Sequence, residues 1–200
     1  MREVGILLFD GVEVLDFAGP YEVFSVASRL GAGGAQAAAA PFRVSTIAAS
    51  QGLIAARNDL GVMAARGIAQ VPALEILIVP GGIVDAPLAD PDLLSWITTI
   101  ASEAEVIASV CTGAFVLGKA GLLNNLEATT HWDDLAQLRA DYPTTRVRTD
   151  VPYVDQGKIV TSAGVAAGIA MSLHLVARLA GSELAQRTAR QIEFSWTPCQ

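Results

Sequence analysis

The sequence has few cysteines, few histidines and few positive charges. Its 200 residues include 2 Cys, 2 His and 13 Lys and Arg against 20 Asp and Glu, so the formal net charge is −7. Cys111 and Cys199 make neither a disulfide framework nor a metal-ligand spacing, so we expect both thiols to be reduced and no metal or other cofactor to be bound. The basic residues are scattered, and we therefore expect no nucleic-acid partner.

Long uninterrupted hydrophobic runs are also missing. Polar residues break the apolar stretches before they reach the length that spans a bilayer, so we expect no membrane partner. No small-residue cleavage site follows the apolar stretch after Arg2, and we expect a cytoplasmic protein without a secretory signal. With 52% hydrophobic and 16% charged residues, the composition is typical of one compact domain, which we predict to span residues 1–200.

The chain does contain short apolar runs that alternate with longer segments of helical period. This pattern is typical of an α/β fold in which helices cover a parallel sheet. The predicted strands are 4–9, 42–47, 76–79, 105–110, 146–148 and 159–161. The predicted helices are 21–29, 92–102, 112–121, 132–140, 165–180 and 182–194, with Pro20 and Pro91 as first helical residues of the first two. Residues 31–40, rich in Gly and Ala, are interpreted as a surface loop.

Cys111 lies where an apolar run breaks. The run 106–110 precedes it, and the small residues Thr112 and Gly113 follow. A strand, a tight turn and a helix in this order form a nucleophile elbow, which lifts the turn residue out of the sheet. The N–H groups at a helix N-terminus lower the pKa of a thiol, so we expect Cys111 to ionise readily. The alternative is core packing, because free cysteines are often buried.

Several other groups follow predicted strands and therefore meet Cys111 at one edge of the sheet. Asp16 lies between apolar residues, so burial would raise its pKa and let it share a proton with the thiol; a helix cap is the alternative. Gly81 and Gly82 form a turn whose backbone can approach a ligand. We expect the amides of Gly82 and Thr112 to hold a developing negative charge.

The histidines offer a second type of partner for the thiol. His131, in the segment 129–132, is a candidate base for a Cys/His pair, and equally a hydrogen-bonding brace at a strand-to-helix junction. His174 is embedded in an apolar helical pattern, which packing or solvent exposure explains. We therefore predict His131 as a secondary site residue.

Seven segments carry a resemblance to a known family over nearly the whole chain. They are GILLFDGV at 5–12, LDFAGPYEVF at 15–24, VPGG at 79–82, SVCTG at 109–113, AGLL at 120–123, ATTHW at 128–132 and TSAGVAAG at 161–168. In combination they resemble the ThiJ/PfpI family of the class I glutamine amidotransferase-like superfamily. Within that family, the chain is most similar to members that hydrate isocyanides.

The resemblance implies a flavodoxin-like three-layer sandwich, a homodimer, Cys111 as nucleophile and Asp16 as its acidic partner. The implied reaction converts a small uncharged isocyanide, through a covalent thioimidate, into an N-substituted formamide without a cofactor. Thr112 stands where the family's peptidase-like members have histidine, which disfavours a protease. Val165 and Ala166 replace a motif that is usually Ile-Thr in the family. Val165 is therefore, like His131, a secondary site residue, and the choice of substrate is open.

Two other functions fit the same motifs. One is a glyoxalase-like or amidase-like enzyme of the same family, in which His131 would act. The other is a non-catalytic ligand-sensing or redox-sensing module related to the amidase-like domain of transcription regulators. Only residues 195–200 follow Phe194, while a DNA-binding module needs on the order of a hundred residues, so we expect no such module here.

Overall fold

The computed structural model describes residues 1–32, 40–71 and 73–197. The strands over these ranges are β1 (Arg2–Leu7), β2 (Phe42–Ala48), β3 (Gly52–Ala56), β4 (Leu60–Ala64), β5 (Arg66–Gly67), β6 (Ile76–Val79), β7 (Val106–Val110), β8 (Glu127–Ala128), β9 (Arg146–Val147), β10 (Tyr153–Gln156) and β11 (Ile159–Ser162). The helices are α1 (Val14–Gly31), α2 (Asp85–Ala89), α3 (Pro91–Glu103), α4 (Gly113–Lys119), α5 (Leu135–Asp141), α6 (Ala167–Ala180) and α7 (Ser182–Gln191).

Within the described residues, seven strands form one sheet in the order β10–β11–β7–β6–β1–β2–β5. All neighbours in this sheet run parallel except the edge pair β10 and β11. Every residue of the central strands β6 and β7 is buried, because a parallel sheet is covered by helices on both faces. The predicted α/β fold with a mostly parallel central sheet is confirmed.

The order of the strands places the functional edge of the sheet. The chain passes from β1 through α1 to β2 in one direction and from β6 through α3 to β7 in the other. Because such crossovers are right-handed, α1 and α3 lie on opposite faces, which gives three layers. The strand order reverses beside β1, and ligands of open parallel sheets bind at such a switch point. A ligand site is therefore expected in the loops that follow β1, β6 and β7.

Helix α1 differs most from its prediction. It begins at Val14, seven residues before the predicted start, and Pro20 lies inside it instead of at its first position. The Glu13 side chain caps the helix, since its Oε1 accepts a hydrogen bond of 3.2 Å from the N–H of Val14. Proline is a good first helical residue, but it is tolerated within a helix when packing compensates. Asp16 consequently lies in the first turn of α1 and is not its cap.

The sequence did not predict the hairpin of β3 and β4. Its strands pair antiparallel, and its tip contains Asn58 and Asp59, both in the left-handed region at φ +54° and +60°. Adjacent Asn and Asp residues favour this conformation in a tight turn, so this pair could have predicted the turn of the hairpin. Most of the loop predicted for 31–40 lies outside the described residues. No helix in the described ranges is long and apolar enough to cross a membrane.

Candidate active site

Cys111 occupies the sharp turn between β7 and α4. Its φ is +55°, in the left-handed region that non-glycine residues adopt rarely and at an energetic cost. The surrounding backbone fixes this conformation: the Cys111 N–H donates to the carbonyl of Ala163 at 3.3 Å, and the Thr130 hydroxyl donates to the Cys111 carbonyl at 2.7 Å. The local geometry is that of a nucleophile elbow.

Asp16 is fully buried beside this turn. Its Oδ2 accepts a hydrogen bond of 3.0 Å from the N–H of Gly81, in the loop after β6. Its Oδ1 has no hydrogen-bond partner at standard geometry among the described residues. The Cys111 thiol interacts weakly with the carboxyl, and that contact makes the smallest contribution to the pKa of Asp16. One carboxyl oxygen is thus anchored, and the other accepts no hydrogen bond of standard geometry from the described residues.

The two groups affect each other's pKa values in opposite directions: the charge of Asp16 raises the pKa of the Cys111 thiol, whereas the hydrogen bond from the thiol lowers the pKa of Asp16. Burial raises the pKa of Asp16 from 3.8 to about 6 although the Gly81 hydrogen bond lowers it, as predicted from its apolar neighbours. Burial, followed by the charge of Asp16, raises the pKa of the Cys111 thiol from 9.0 to about 12. Desolvation outweighs the N–H groups near the sulfur. The expectation that Cys111 ionises readily was therefore wrong: at neutral pH the pair is a thiol beside a carboxylate, and the two share one proton.

The turn after β6 joins the loops around the pair. The Gly82 N–H donates to the Thr112 hydroxyl at 2.9 Å, and this hydroxyl donates to the Gly82 carbonyl at 3.1 Å. The prediction that the Gly82 amide holds a developing negative charge is therefore corrected, because this N–H already has an acceptor. The Gly81 N–H is likewise occupied, since it donates to Asp16. The amides that donate toward the sulfur are those of Thr112 and Val165, which lower the thiol pKa.

Val165 is positioned by an unusual backbone conformation. Its φ is +44°, which is strained for a β-branched residue. The predicted helix 165–180 starts at Ala167 for this reason. The strained turn follows β11 and directs the Val165 N–H toward the sulfur, so Val165 acts on the thiol through its backbone.

Replacing Gly81 with alanine is expected to destabilise the protein by about 1–3 kcal/mol. A Cβ at this position would lie 2.5 Å from Thr112 Oγ1, 2.6 Å from Thr112 N and 2.9 Å from Asp16 Oδ2. Chemical denaturation measures the loss. Gly61→Ala is the matched control, since its Cβ would meet only the flexible Leu53 side chain. Equal stability of Gly81→Ala and wild type would contradict the close packing described.

A cavity of about 210 Å³ opens onto Cys111. Gly82, Thr112 and Val165 contribute to its wall. The remaining lining residues are Glu13, Arg57, His131, Asp133 and Asp134. Of these five residues, only His131 was predicted from the sequence. Asp133 and Asp134 could have been predicted from their position close after His131. Arg57 could not, because it lies on the unpredicted hairpin.

His131 lines the cavity but is held by its own neighbours. Its Nδ1 accepts a hydrogen bond of 3.4 Å from the Asp133 N–H and lies 3.5 Å from Asp134 Oδ2. Its ring packs so closely on Gly164 that a Cβ there would lie 2.2 Å from His131 Cδ2. Among the described residues no hydrogen bond joins it to the Cys111 thiol. This arrangement is that of a brace.

His174 lies apart from the cavity in an ion-pair cluster. Its Nε2 is 2.6 Å from Asp155 Oδ2, and Arg178 binds both oxygens of the same carboxylate at 2.9 and 2.8 Å. No group of three or more His, Cys, Asp and Glu side chains within the described part of the chain is arranged to hold a metal ion.

Three known proteins are similar to this chain in sequence or in fold. Isonitrile hydratase of Pseudomonas putida is 33% identical over 200 residues, which cover 98% of this chain and 80% of that protein. The HTH-type transcriptional regulator CdhR of Pseudomonas aeruginosa is 28% identical over 95% of this chain, which spans 54% of the regulator. The crystal structure of a THiJ/PfpI family protein from Pseudomonas syringae matches with a TM-score of 0.84 at 26% identity, covering 100% of this chain and 77% of that one.

The family model of the DJ-1/PfpI family matches residues 2–178. This range includes the elbow of Cys111, the first turn of α1 with Asp16, and every strand of the central sheet. Since the match covers most of the sequence and the same fold recurs in the solved structure, the chain belongs to the DJ-1/PfpI family.

Proposed function

We propose that the protein is a cysteine-dependent hydratase that converts an isocyanide into an N-substituted formamide. The observation that carries the proposal is the buried Asp16 carboxyl, which is coupled to the Cys111 thiol and raises its pKa. An isocyanide has a terminal carbon that accepts a nucleophile and then a proton. A thiol and a carboxylate that share one proton supply both.

In the first step, Asp16 removes the thiol proton as Cys111 Sγ attacks the terminal carbon of the isocyanide. Asp16 then delivers this proton to the same carbon, which gives a thioimidate, Cys–S–CH=N–R. The Thr112 and Val165 amides stabilise the charge on sulfur before attack and after release. These assignments extend the sequence interpretation by exchanging Gly82 for Val165.

In the second step, water adds to the carbon of the thioimidate and protonates the nitrogen. The resulting adduct collapses with cleavage of the C–S bond, which releases the N-substituted formamide and returns the thiol with its proton. The net reaction adds one water to the isocyanide and consumes neither an oxidant nor a reductant. The cycle therefore ends in the protonation state in which it began.

The function is tested by incubating the protein with cyclohexyl isocyanide and measuring formamide by chromatography. We expect steady turnover by wild type. Methylglyoxal is offered in a parallel assay, because a glyoxalase would form lactate from it and would depend on His131. Formamide production without lactate supports the hydratase, and lactate production without formamide overturns it.

A sensing module is the second candidate function, and the regulator relative favours it. A sensor would bind the isocyanide at the same cavity without turning it over. Isothermal titration calorimetry with the isocyanide, combined with an assay for formamide, distinguishes the sensor from the hydratase. Saturable binding with no product would replace the hydratase by the sensor.

We propose that two copies of the chain associate through one apolar face, as the family resemblance implies. Large apolar side chains on α1 and on the β3–β4 hairpin are exposed, with Tyr21 at 40%, Leu53 at 72% and Met63 at 62%. A cavity of about 450 Å³ lies between these two elements. A face shared by a helix and a hairpin can pair with its own copy about a two-fold axis and so bury these side chains.

Replacing both Leu53 and Met63 with glutamate is expected to convert a dimer into monomers at low micromolar concentration, because the interface would bury unpaired charges. Sedimentation velocity measures the change. Thr98→Glu, on the exposed surface of α3, is the matched control and is expected to sediment as wild type. A monomeric wild type, or a dimeric double variant, would contradict the proposed face.

A further inference from the structure

Four charged side chains line the cavity that contains the Cys111 thiol. Three are carboxylates, those of Glu13, Asp133 and Asp134, and one is the guanidinium of Arg57. An uncharged substrate was expected from the sequence, and none of these four side chains was predicted to lie at the site. The distribution of charge at this opening depends on how the four groups pair.

The positive charge of Arg57 is neutralised locally. Its Nε lies 3.4 Å from Glu13 Oε2, and both side chains are partly exposed. Asp133 and Asp134 have no Lys or Arg in ion-pair contact among the described residues; the nearest basic group is His131, whose Nδ1 lies 3.5 Å from Asp134 Oδ2. The opening thus carries an excess of about two negative charges when His131 is neutral.

Of the Asp133 and Asp134 carboxylates, that of Asp134 acts on the reactive group. Asp134 raises the pKa of the Cys111 thiol through its charge, in addition to the effects of burial and of Asp16. An electrostatic influence that reaches the sulfur also reaches a ligand bound between Asp134 and the sulfur. Because the cavity walls exclude part of the solvent, such an influence exceeds that at an open surface.

We propose that Asp133 and Asp134 select substrates by charge: the site accepts small electrophiles with a neutral or cationic substituent and rejects those with an anionic one. This inference deepens the proposed function and rests on it for the chemistry at Cys111. A protonated amine on the substituent of an isocyanide would lie against the Asp133 and Asp134 carboxylates, while a carboxylate on the same substituent would be repelled.

The selectivity is tested with thiol reagents, so that it can be read without turnover. Two methanethiosulfonates with matched ethyl linkers, one carrying trimethylammonium and one carrying sulfonate, react with Cys111 in a Cys199→Ser background. Mass spectrometry gives both rate constants, normalised to those of a small neutral thiol. Their ratio is independent of the fraction of thiolate, because both reagents meet the same sulfur.

We expect the cationic reagent to react about tenfold faster than the anionic one after normalisation at low salt. The double variant Asp133→Asn/Asp134→Asn should reduce this ratio to about twofold, and added salt should reduce it in wild type through screening. The control double variant Glu103→Gln/Asp141→Asn makes an equal change of charge at the exposed ends of α3 and α5, outside the cavity, and should leave the ratio unchanged. A ratio of one or less in wild type, or an unchanged ratio in the double variant, overturns the proposal.

Turnover of three isocyanides of similar length separates this inference from the proposed function. We expect kcat/KM to fall in the order dimethylaminopropyl, butyl and carboxyethyl isocyanide. Equal turnover of all three, with a reagent ratio of one, overturns charge selection and leaves the hydratase. No turnover of any, with the tenfold reagent ratio, overturns the hydratase and leaves charge selection.

Discussion

Asp16→Asn is expected to abolish hydration while making the protein more stable above pH 6. Asparagine cannot accept the thiol proton, so we expect kcat/KM to fall by at least about a hundredfold. It can still accept the Gly81 hydrogen bond through its carbonyl oxygen, so the loop after β6 stays in place. Steady-state kinetics and urea denaturation, measured on the same samples, test the two effects together.

The gain in stability follows from the raised pKa of Asp16. In the unfolded chain this carboxyl titrates near 3.8, and in the folded protein near 6. Its favourable contribution is complete below the unfolded value and is lost as the pH rises through about 6, which corresponds to about 3 kcal/mol. The new amide N–H groups lack partners and offset part of the gain. We therefore expect Asp16→Asn to be more stable than wild type by about 1–3 kcal/mol at pH 7.5.

Asp155→Asn is the matched control with the opposite sign. Burial raises the pKa of Asp155, but hydrogen bonds from His174 and Gly157 and the charge of Arg178 together lower it. Its stabilising contribution is present above the unfolded pKa and is lost as the pH falls through the lower folded value. Asp155→Asn should therefore be less stable than wild type at pH 7.5. If Asp16→Asn also lost stability, burial of its charge would not be the dominant effect.

The shared proton also fixes the pH profile of the reaction. The pair is active when it holds one proton, and the location of that proton does not change the profile. The pKa values of about 6 for Asp16 and about 12 for Cys111 lead us to expect a rise in kcat/KM through pH 6 and a plateau to at least pH 9. A bell centred near neutral pH would indicate a third titrating group.

Cys111→Ala is expected to reduce kcat by at least about a thousandfold, since it removes the atom that forms the covalent bond. Cys111→Ser keeps a nucleophilic atom with a much higher pKa and should lose nearly as much. Both variants keep the strained turn, because the Thr130 hydroxyl and the Ala163 carbonyl bind the backbone of residue 111.

Retained binding of the isocyanide by Cys111→Ala, measured by calorimetry, shows that the loss arises from the chemical step. Retention of more than a tenth of the wild-type turnover by Cys111→Ala would exclude the proposed mechanism.

The central strands could be predicted from the sequence because buried parallel strands are continuous apolar runs. The predicted strand 76–79 coincides with β6, and β7 lies within the predicted strand 105–110. The edge elements were missed because their residues are half exposed and weakly patterned. The start of α1 was missed because Pro20 suggested a first helical position, whereas Glu13 is the cap.

The candidate site was only partly predictable. Strand ends brought Cys111, Asp16 and the turn at 80–82 to one edge, which topology alone requires. The state of the thiol was not predictable, because its pKa depends on burial that only packing determines. The contributions of the Val165 amide and of Arg57 could not be predicted either. The orientation of the Val165 amide depends on a strained φ, and Arg57 reaches the cavity because the β3–β4 hairpin lies beside it.

The most direct test of the account is rapid quenching of the enzyme with a saturating isocyanide, followed by intact and peptide mass spectrometry. We expect a transient mass increase equal to that of the isocyanide, located on Cys111, that forms and decays at rates consistent with turnover. Asp16→Asn should form this adduct much more slowly. Formamide production by wild type with no adduct on Cys111, or with an adduct that does not decay, would contradict covalent catalysis by the Cys111–Asp16 pair.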